Sequence, residues 1–112
     1  AAKILSVLKV DQVKIHSLYI MENTKMGILY KNKEITVITE KEYVERVITF
    51  LEYLDKNIAV QRLAGRAPKE NSLFVNWGMS WWKIKDDILE KMDEEGRYQG
   101  SKSLINYTIN WL

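Results

Sequence analysis

The spacing of apolar residues predicts alternating helices and strands. The first ten residues, AAKILSVLKV, form an amphipathic pattern with Ile4, Leu5 and Leu8 on one side of a helix. The next run, residues 13–20, is β-branched and aromatic and apolar at nearly every position, which is typical of a parallel strand buried on both faces. A short helix is expected from Thr24. Its inward-facing residues are Met26, Leu29 and Tyr30.

The clearest helix is predicted over residues ~40 to 54. Thr39 and Glu42 have the spacing of a capping box, in which each side chain binds the backbone N–H of the other residue. The apolar residues that repeat at helical spacing are Tyr43, Val47, Phe50, Leu51 and Leu54. The residues expected on the exposed face are Lys41, Glu45, Arg46 and Glu52. This helix is therefore expected to cover one side of the core.

The run NIAVQRLAG, residues 57–65, predicts a second strand, so that a strand–helix–strand order implies a parallel pair joined by a right-handed crossover. Residues 68–78 are predicted to be irregular. A further helix is expected from Ser80 to a glycine cap at Gly96. Its inward-facing residues are Trp81, Ile84, Ile88 and Met92. The tail, residues 104–112, alternates like a half-buried strand, with a loosely docked extension as the alternative. The fold class is α/β.

Composition narrows the functional classes. At 112 residues and 46% hydrophobic, the chain has the size of a single domain. The net charge of +2 gives no field that argues for nucleic acid or an anionic membrane. The absence of cysteine excludes disulfides, a thiolate nucleophile and cysteine-held metal, and favours a reducing, cytoplasmic location. No apolar run approaches the ~20 residues that span a bilayer, so we expect a soluble protein without a membrane partner.

Candidate binding residues follow both predicted parallel strands. His16 is the only histidine, and it lies near the carboxyl end of the first strand, where open α/β and barrel folds place ligands. A purely structural histidine is the alternative. The second strand ends in Gln61, Arg62, Gly65 and Arg66, which would fall on the same rim. There the arginines either bind an anion or tie two layers together, and Gly65 either approaches a ligand or only turns the chain.

A second cluster crowds into eight residues and contains Asn76, Trp77, Trp81, Trp82 and Lys83. Such side chains can stack on a flat ligand or clamp an anion, or they can form a hydrophobic lid over a barrel. The acidic residues between 86 and 95 fit the solvated face of a helix, with paired-carboxylate catalysis as the weaker alternative. No glycine-rich phosphate loop, zinc-ligand spacing or nucleophile elbow is present.

Five stretches carry a family resemblance: VKIHSLYIMENTKMGILY, EKEYVERVITFLEYL, VQRLAGRAP, NWGMSWWKIKDDI and YQGS. In this order they resemble the C-terminal third of radical S-adenosylmethionine proteins of the YhcC-like group, which are predicted iron–sulfur oxidoreductases. The middle is also similar to the C-terminal domain of elongator-type, tRNA-modifying radical enzymes. The most specific parts are His16-Ser17-Leu18 with Thr24 and Tyr30, the turn with Arg62, Gly65 and Pro68, Trp77 with Lys83, and Gln99-Gly100.

The resemblance implies a fragment of a partial (β/α) barrel with parallel strands and helices, in which residues 1–35 end the barrel and residues 36–112 form a C-terminal α/β extension. It implies a [4Fe-4S] cluster and S-adenosylmethionine in the parent protein, held by a three-cysteine loop of an N-terminal radical SAM core. His16, Ser17 and Leu18 would lie beside the adenosyl group. The residues expected to bind substrate are Arg62, Gly65, Arg66, Trp77 and Lys83.

This chain has no cysteine and cannot hold that cluster, so alone it is expected to be inactive and to carry no cofactor. Neither an initiator methionine nor a capping residue precedes the first helix, which makes a fragment the expectation. An RNA-binding module that uses Arg62, Arg66 and the surface of Trp81 and Trp82 is one alternative, and a plain structural or interaction domain is another. Exposed strand edges of a fragment also predict self-association.

Overall fold

The computed structural model describes residues 1–16, 18–63 and 72–103. In this part of the chain, helices and strands follow in the order α1 (Ala2–Val7), β1 (Gln12–Lys14), β2 (Tyr19–Met21), α2 (Lys25–Lys31), α3 (Glu40–Tyr53), β3 (Ala59–Arg62), β4 (Ser72–Val75) and α4 (Trp81–Glu95). A 3₁₀ turn, Asn76–Gly78, joins β4 to α4. The α/β class predicted from the sequence is confirmed.

The strands form two small sheets. β1 pairs with β3 in parallel, so the predicted strand–helix–strand pair is confirmed, with Val13 opposite Val60. β2 pairs with β4 in antiparallel fashion, with Ile20 opposite Phe74. Each sheet therefore joins one strand from the first 35 residues to one strand from the rest of the chain.

The single buried strand predicted over residues 13–20 is wrong. After Lys14 the backbone still donates from Ile15 N to Arg62 O at 2.8 Å, and it then leaves β3 for a new partner, β4. β1 is also covered on one face only, because Lys14 and His16 are exposed while Val13 and Ile15 are half-buried. Period-two alternation with exposed polar residues marks a one-sided sheet rather than one covered on both faces.

Residues 68–78 are not irregular throughout, because β4 occupies residues 72–75 and pairs with β2. The pairing partner lies more than fifty residues away along the chain, and a strand of four residues carries little local signal. Residues 64–71, and the tail for which a strand was considered, lie outside the described residues.

Helices α3 and α4 supply most of the core. The fully buried apolar side chains are Ile48, Leu54, Ile84 and Ile88. The capping box of α3 is confirmed, since Thr39 Oγ1 accepts from Glu42 N and Glu42 Oε1 accepts from Thr39 N. Gly96 ends α4 in the left-handed conformation, as predicted. The predicted inward residues of α4 also contact the core, with Trp81 and Met92 half-buried at its margin.

The apolar side predicted for α1 is only partly buried, since Leu5 packs against the core. Ile4 and Leu8 are 65% and 67% exposed, whereas Ala2 and Ser6 are buried. Ser6 makes this possible because its hydroxyl donates to Ala2 O at 2.9 Å and accepts from Asp55 N at 2.8 Å. This small, hydrogen-bonded side chain lets α1 approach the end of α3 closely, while Ile4 and Leu8 of α1 remain exposed.

In α2 the cap at Thr24 is confirmed, since its side chain accepts from Gly27 N at 3.0 Å. Gly27 is the buried residue, because a β-carbon there would lie 2.2 Å from Met21 O. Met26 is 53% exposed and Leu29 is exposed, so their predicted inward positions are wrong. Tyr30 is half-buried, with its ring edge-on to Phe74 at 6.3 Å.

The segment after α4 closes the carboxyl end of α3. Gly100 N donates to Leu51 O at 3.0 Å, and Lys102 N donates to Glu52 O at 2.9 Å. Gln99 Nε2 donates to Asp55 O at 2.9 Å and to Ile58 O at 2.7 Å. The bonds to Leu51 O and Glu52 O cap the last turn of α3, and those to Asp55 O and Ile58 O hold the chain that follows it, so the Gln99-Gly100 motif has a structural role. Within the described ranges, no helix has the length and apolar character needed to cross a bilayer.

Candidate functional site

The connection between the two sheets, residues 16–18, is held by hydrogen bonds at both ends. Tyr43 Oη donates to His16 O at 2.9 Å. At the other end Leu18 N donates to Asn76 Oδ1 at 3.2 Å, and Asn76 N donates to Leu18 O at 2.9 Å. The His16 side chain is exposed and Leu18 is half-buried, while Ser17 lies outside the described residues. The backbone is therefore engaged within the protein, and the two described side chains can contact a ligand.

Arg62 lies at the same edge as His16. It ends β3 opposite Lys14 of β1, and its carbonyl accepts from Ile15 N, the residue before His16. Both side chains are exposed. The carboxyl ends of parallel strands meet at one edge, and the structure brings these two candidates together there. Gly65 and Arg66 lie outside the described residues.

Trp77 contributes packing rather than an open stacking surface. Its ring is half-buried against Tyr43 and Phe74, with centroids at 5.2 Å and 5.5 Å. Its Nε1 donates to Ile38 O at 2.9 Å, which fixes the ring against the segment that enters α3. Burial raises the pKa of the Tyr43 hydroxyl, which keeps this hydroxyl protonated as the donor to His16. Trp77 thus supports the group that holds His16.

Lys83 lies on the first turn of α4 and is paired. Its Nζ donates to Asp87 Oδ1 at 2.8 Å, and this bond and the charge of Asp87 raise the pKa of Lys83. Glu40, at the start of α3, has a raised pKa through burial and through the neighbouring Asp87 carboxyl. Trp77 and Lys83 therefore both lie against the start of α3, Trp77 through Ile38 and Lys83 through Asp87.

The remaining tryptophans differ from each other. Trp81 is half-buried at the core, with Lys85 Nζ 5.9 Å from its ring centroid. Trp82 is exposed. The structure therefore does not present the two rings as one continuous stacking surface.

An ion-pair network escaped the sequence analysis. Arg97 binds Glu45 Oε2 at 2.8 Å, Glu52 Oε1 at 2.7 Å and Glu95 Oε1 at 3.1 Å. Glu52, predicted to be exposed, is buried, because this guanidinium satisfies its charge. Hydrogen bonds from Arg97 lower the pKa of Glu45 to about 2 and also lower that of Glu52, and the same bonds raise the pKa of Arg97. The available signal was a pair of glutamates seven residues apart and an arginine directly after Gly96.

An open cleft of about 640 Å³ was also missed. It lies between the end of α2, the extended segment before α3 and β4. Its lining residues are Tyr30, Lys31, Lys33, Ile35, Thr36, Val37 and Leu73. No sequence motif marks it, because residues 30–37 form a wall only where Leu73 of the distant β4 lies against them.

The donor set does not fit a metal cluster. The chain has no cysteine, and the described residues contain no group of three histidine, aspartate or glutamate side chains placed to hold a metal ion. An exposed imidazole beside a half-buried leucine does fit a nucleoside, which offers ring nitrogens for hydrogen bonds and an apolar face. The edge with His16, Leu18 and Arg62 is therefore the candidate binding site, and we call it the sheet-end site.

Comparison with known proteins gives two kinds of match. Residues 10–94 match the family model described as the radical SAM C-terminal domain. Over 102 residues the chain is 31% identical to the uncharacterized protein MJ0486 of Methanocaldococcus jannaschii, which covers 90% of this chain and 32% of that protein. Over 99 residues it is 28% identical to the uncharacterized protein YtqA of Bacillus subtilis, covering 88% of this chain and 31% of that protein. The chain spans about a third of the length of these curated relatives.

Proposed function

The chain belongs to the radical SAM C-terminal domain family, and we propose that it docks on the radical S-adenosylmethionine core of its parent protein and forms one side of the pocket for cofactor and substrate. The family match over residues 10–94 carries this proposal, since it links the chain to such a core. The structure adds two features that fit docking, an uncovered apolar helix face and an incomplete parallel sheet.

The apolar face of α1 is the first feature. Ile4, Val7 and Leu8 are 65%, 71% and 67% exposed. A run of uncovered apolar side chains on one short helix is typical of an interaction surface. α1 also precedes the first residue that the family model matches, residue 10. We propose that this face packs on the core of the same polypeptide, which precedes the domain.

The parallel pair β1–β3 is the second feature. Parallel strands occur almost always in larger sheets that are covered on both faces. Among the described residues β1 and β3 have only each other, and Gln12, Lys14 and Gln61 lie uncovered on the pair. We propose that a strand of the core extends this pair, so that residues 1–35 end a partial barrel and residues 36–112 extend it.

In this arrangement the sheet-end site faces the cofactor. We propose that His16, Ser17 and Leu18 lie beside the adenosyl group, the imidazole by hydrogen bonding and Leu18 by apolar contact. The cluster ligands are supplied by the core, because this chain has no cysteine. When bound in the parent, S-adenosylmethionine supplies the radical chemistry that removes hydrogen from a substrate. The contribution of this chain is to bind, to orient and to exclude water.

For substrate we propose Arg62, Gly65, Arg66, Trp77 and Lys83, in unequal roles. Arg62 lies at the sheet-end site opposite the exposed Lys14, and its guanidinium would bind an anionic group. Trp77 acts through Tyr43, and the charge of Lys83 is already paired with Asp87. An oxidoreductase of the YhcC-like group is the finer assignment that we propose for the parent, and its cytoplasmic location stays a prediction.

The role of Arg62 is tested by Arg62→Ala in the full-length parent. Because the side chain is exposed, we expect the melting temperature to change by less than about 2 °C, which matches the small effect of surface substitutions. Turnover is expected to fall about tenfold or more through loss of a charge-assisted hydrogen bond. Lys14→Ala, its exposed neighbour on β1, is the matched control. Unchanged turnover with a lowered melting temperature would make Arg62 structural.

Docking is tested by Val7→Lys, made both in the parent and in the 112-residue chain. An exposed position tolerates lysine within about 0.5 kcal/mol, so the isolated chain should keep its stability. In the parent the same change places a charge in an apolar interface and should lower the melting temperature by several degrees. Leu89→Lys, at a position 48% exposed on α4, should have no effect in either. Equal, small effects of Val7→Lys in both proteins would contradict docking through α1.

The RNA-binding alternative predicts a mobility shift with RNA that weakens steeply as salt rises. The described residues do not favour it, since Trp81 is half-buried against the core. Self-association through open strand edges remains a prediction for the isolated chain. Light scattering decides it, because a dimer or larger species would indicate that the edges pair, and a monomer would contradict this.

A further inference from the structure

Three successive residues between β4 and α4 have left-handed backbone. They are Asn76 with φ 44°, Trp77 with φ 54° and Gly78 with φ 72°. Residues other than glycine adopt this conformation at a steric cost, and they do so singly rather than in runs. Surrounding contacts must therefore hold Asn76 and Trp77 in place, and such conformations cluster at functional sites. We call residues 76–78 the left-handed turn.

Asn76 extends the pairing of β4 with β2 by one residue, in an irregular way. The β2–β4 ladder ends with Tyr19 opposite Val75. Beyond it Asn76 N donates to Leu18 O, as a strand would. The backbone then turns away, so that Asn76 O accepts from Met79 N at 2.8 Å instead. The buried side-chain Oδ1 of Asn76 takes the place of the missing carbonyl and accepts from Leu18 N at 3.2 Å.

Tyr43 holds the other end of the same connection. Its hydroxyl donates to His16 O, and its ring packs on Trp77 of the left-handed turn. Both ends of residues 16–18 are thus tied to this turn, Leu18 directly and His16 through Tyr43. The strained backbone conformation brings the side chain of Asn76 and the ring of Trp77 to these positions.

We propose that Asn76 and Tyr43 are positioning residues that hold His16 and Leu18 for contact with the adenosyl group of S-adenosylmethionine. This rests on the proposed placement of His16 and Leu18 beside that group. Neither residue touches the cofactor. Each fixes a backbone atom, so that the side chains of His16 and Leu18 are presented in one arrangement before the cofactor binds.

The experiment uses the full-length parent with its cluster loaded. Asn76→Gly removes the side-chain acceptor and suits the positive φ, so that backbone strain does not confuse the result. Asn76→Asp retains an acceptor oxygen and tests for rescue. Tyr43→Phe removes only the hydroxyl and leaves the ring on Trp77. Tyr30→Phe is the matched control, because the Tyr30 ring likewise packs on another aromatic ring, that of Phe74.

Two quantities are measured: the hydrogen-exchange rates of the amides of residues 15–19 without ligand, and the Kd for S-adenosylmethionine by equilibrium dialysis. Asn76→Gly and Tyr43→Phe should each raise exchange about three- to tenfold, the range that one hydrogen bond contributes. Each should also raise the Kd by a similar factor with little change in melting temperature. Tyr30→Phe should stay near wild type, and Asn76→Asp should recover part of the affinity lost in Asn76→Gly, since it keeps the acceptor oxygen but buries a charge. An unchanged Kd with faster exchange overturns the positioning role and leaves a structural one.

His16→Ala and Leu18→Ala separate the two levels of the proposal. If these variants raise the Kd while Asn76→Gly and Tyr43→Phe do not, the positioning role is overturned and the proposed site stands. If they leave the Kd unchanged, the placement of residues 16–18 beside the cofactor is overturned, and the positioning role falls with it.

Discussion

A single guanidinium joins the two long helices at their carboxyl ends. Arg97 follows α4 and binds Glu45 and Glu52 of α3, and Lys91 adds a bond to Glu45 at 3.1 Å. Glu52 is buried, so its charge depends on this partner. The chain beyond Arg97 then closes the end of α3, which means that one residue helps to fix several segments.

Arg97→Ala should destabilise the protein by about 3 kcal/mol, because it leaves the buried Glu52 with only the more distant Lys102, whose Nζ lies 3.8 Å away. Lys91→Ala is the control: it removes only a more exposed pair and should cost less than about 1 kcal/mol. Urea unfolding of the purified protein measures both values. Similar small losses for the two variants would show that Glu52 is hydrated or finds another partner.

The same network sets an acid dependence. The pKa of Glu45 is depressed to about 2 and that of Glu52 is also lowered, so their stabilisation is present above the ordinary value of 4.5 and is lost as pH falls towards 2. The pKa of Glu40 is raised, so its effect on folding has the opposite sign: its contribution to the free energy of unfolding is present at low pH and is lost as pH rises above 4.5.

The free energy of unfolding should therefore decrease as pH falls from 4.5 towards 2, and Arg97→Ala should flatten this decrease. Glu40→Gln should leave it nearly unchanged, since a carboxyl with a raised pKa affects stability mainly above its ordinary value of 4.5. Urea midpoints across this range measure both variants. A slope that Arg97→Ala leaves unchanged would show that other carboxylates control the acid response.

At the scale of elements, Gly100 allows the segment after α4 to close α3. Its φ is 82°, and a β-carbon there would lie 2.9 Å from Lys56 N and 3.0 Å from Lys56 Cβ. Gly96 also has positive φ, 64°, with open space around it. Both glycines therefore adopt a positive φ that disfavours other residues, but only Gly100 also lies too close to Lys56 to carry a β-carbon.

Gly96→Ala should cost about 1 kcal/mol from backbone strain alone. Gly100→Ala should cost more, about 2 to 3 kcal/mol, because the backbone of Lys56 must also move. Unfolding midpoints of the two variants give the difference directly. Equal losses would mean that the chain near Lys56 yields without cost.

The elements also show what sequence can predict. α3 and α4 were predicted closely because caps and helical spacing are local signals, as with Thr39 and Gly96. The break between β1 and β2 was not predicted, since it depends on which distant strand pairs with each of them. The burial of Ser6 in α1 was not predicted, because it depends on a bond to Asp55, a partner that hydropathy does not reveal.

Part of the candidate site could also be predicted from local patterns, and part could not. Placing His16 and Arg62 on one edge followed from parallel pairing, which a strand–helix–strand order indicates. The hydrogen bonds of Asn76 and Tyr43, and the pairing of Lys83 with Asp87, depend on side chains brought together by the whole fold. Glu52 was assigned to the solvent because its partner, Arg97, lies 45 residues away.

At the scale of the whole molecule, three uncovered features lie close together along the chain. The apolar face of α1, the open parallel pair and the sheet-end site all belong to the first strand and its flanks or to its partner β3. The buried core lies around α3 and α4. The nearness of the three features along the chain fits the docking on a radical SAM core that is proposed above.

The most direct measurement is hydroxyl-radical footprinting of Ile4, Val7 and Leu8, read by mass spectrometry, in the full-length parent and in the 112-residue chain. Docking predicts that their oxidation falls severalfold in the parent, while Leu89, exposed on α4, is oxidised equally in both. Equal oxidation of the α1 residues in the two proteins would contradict the proposed docking surface.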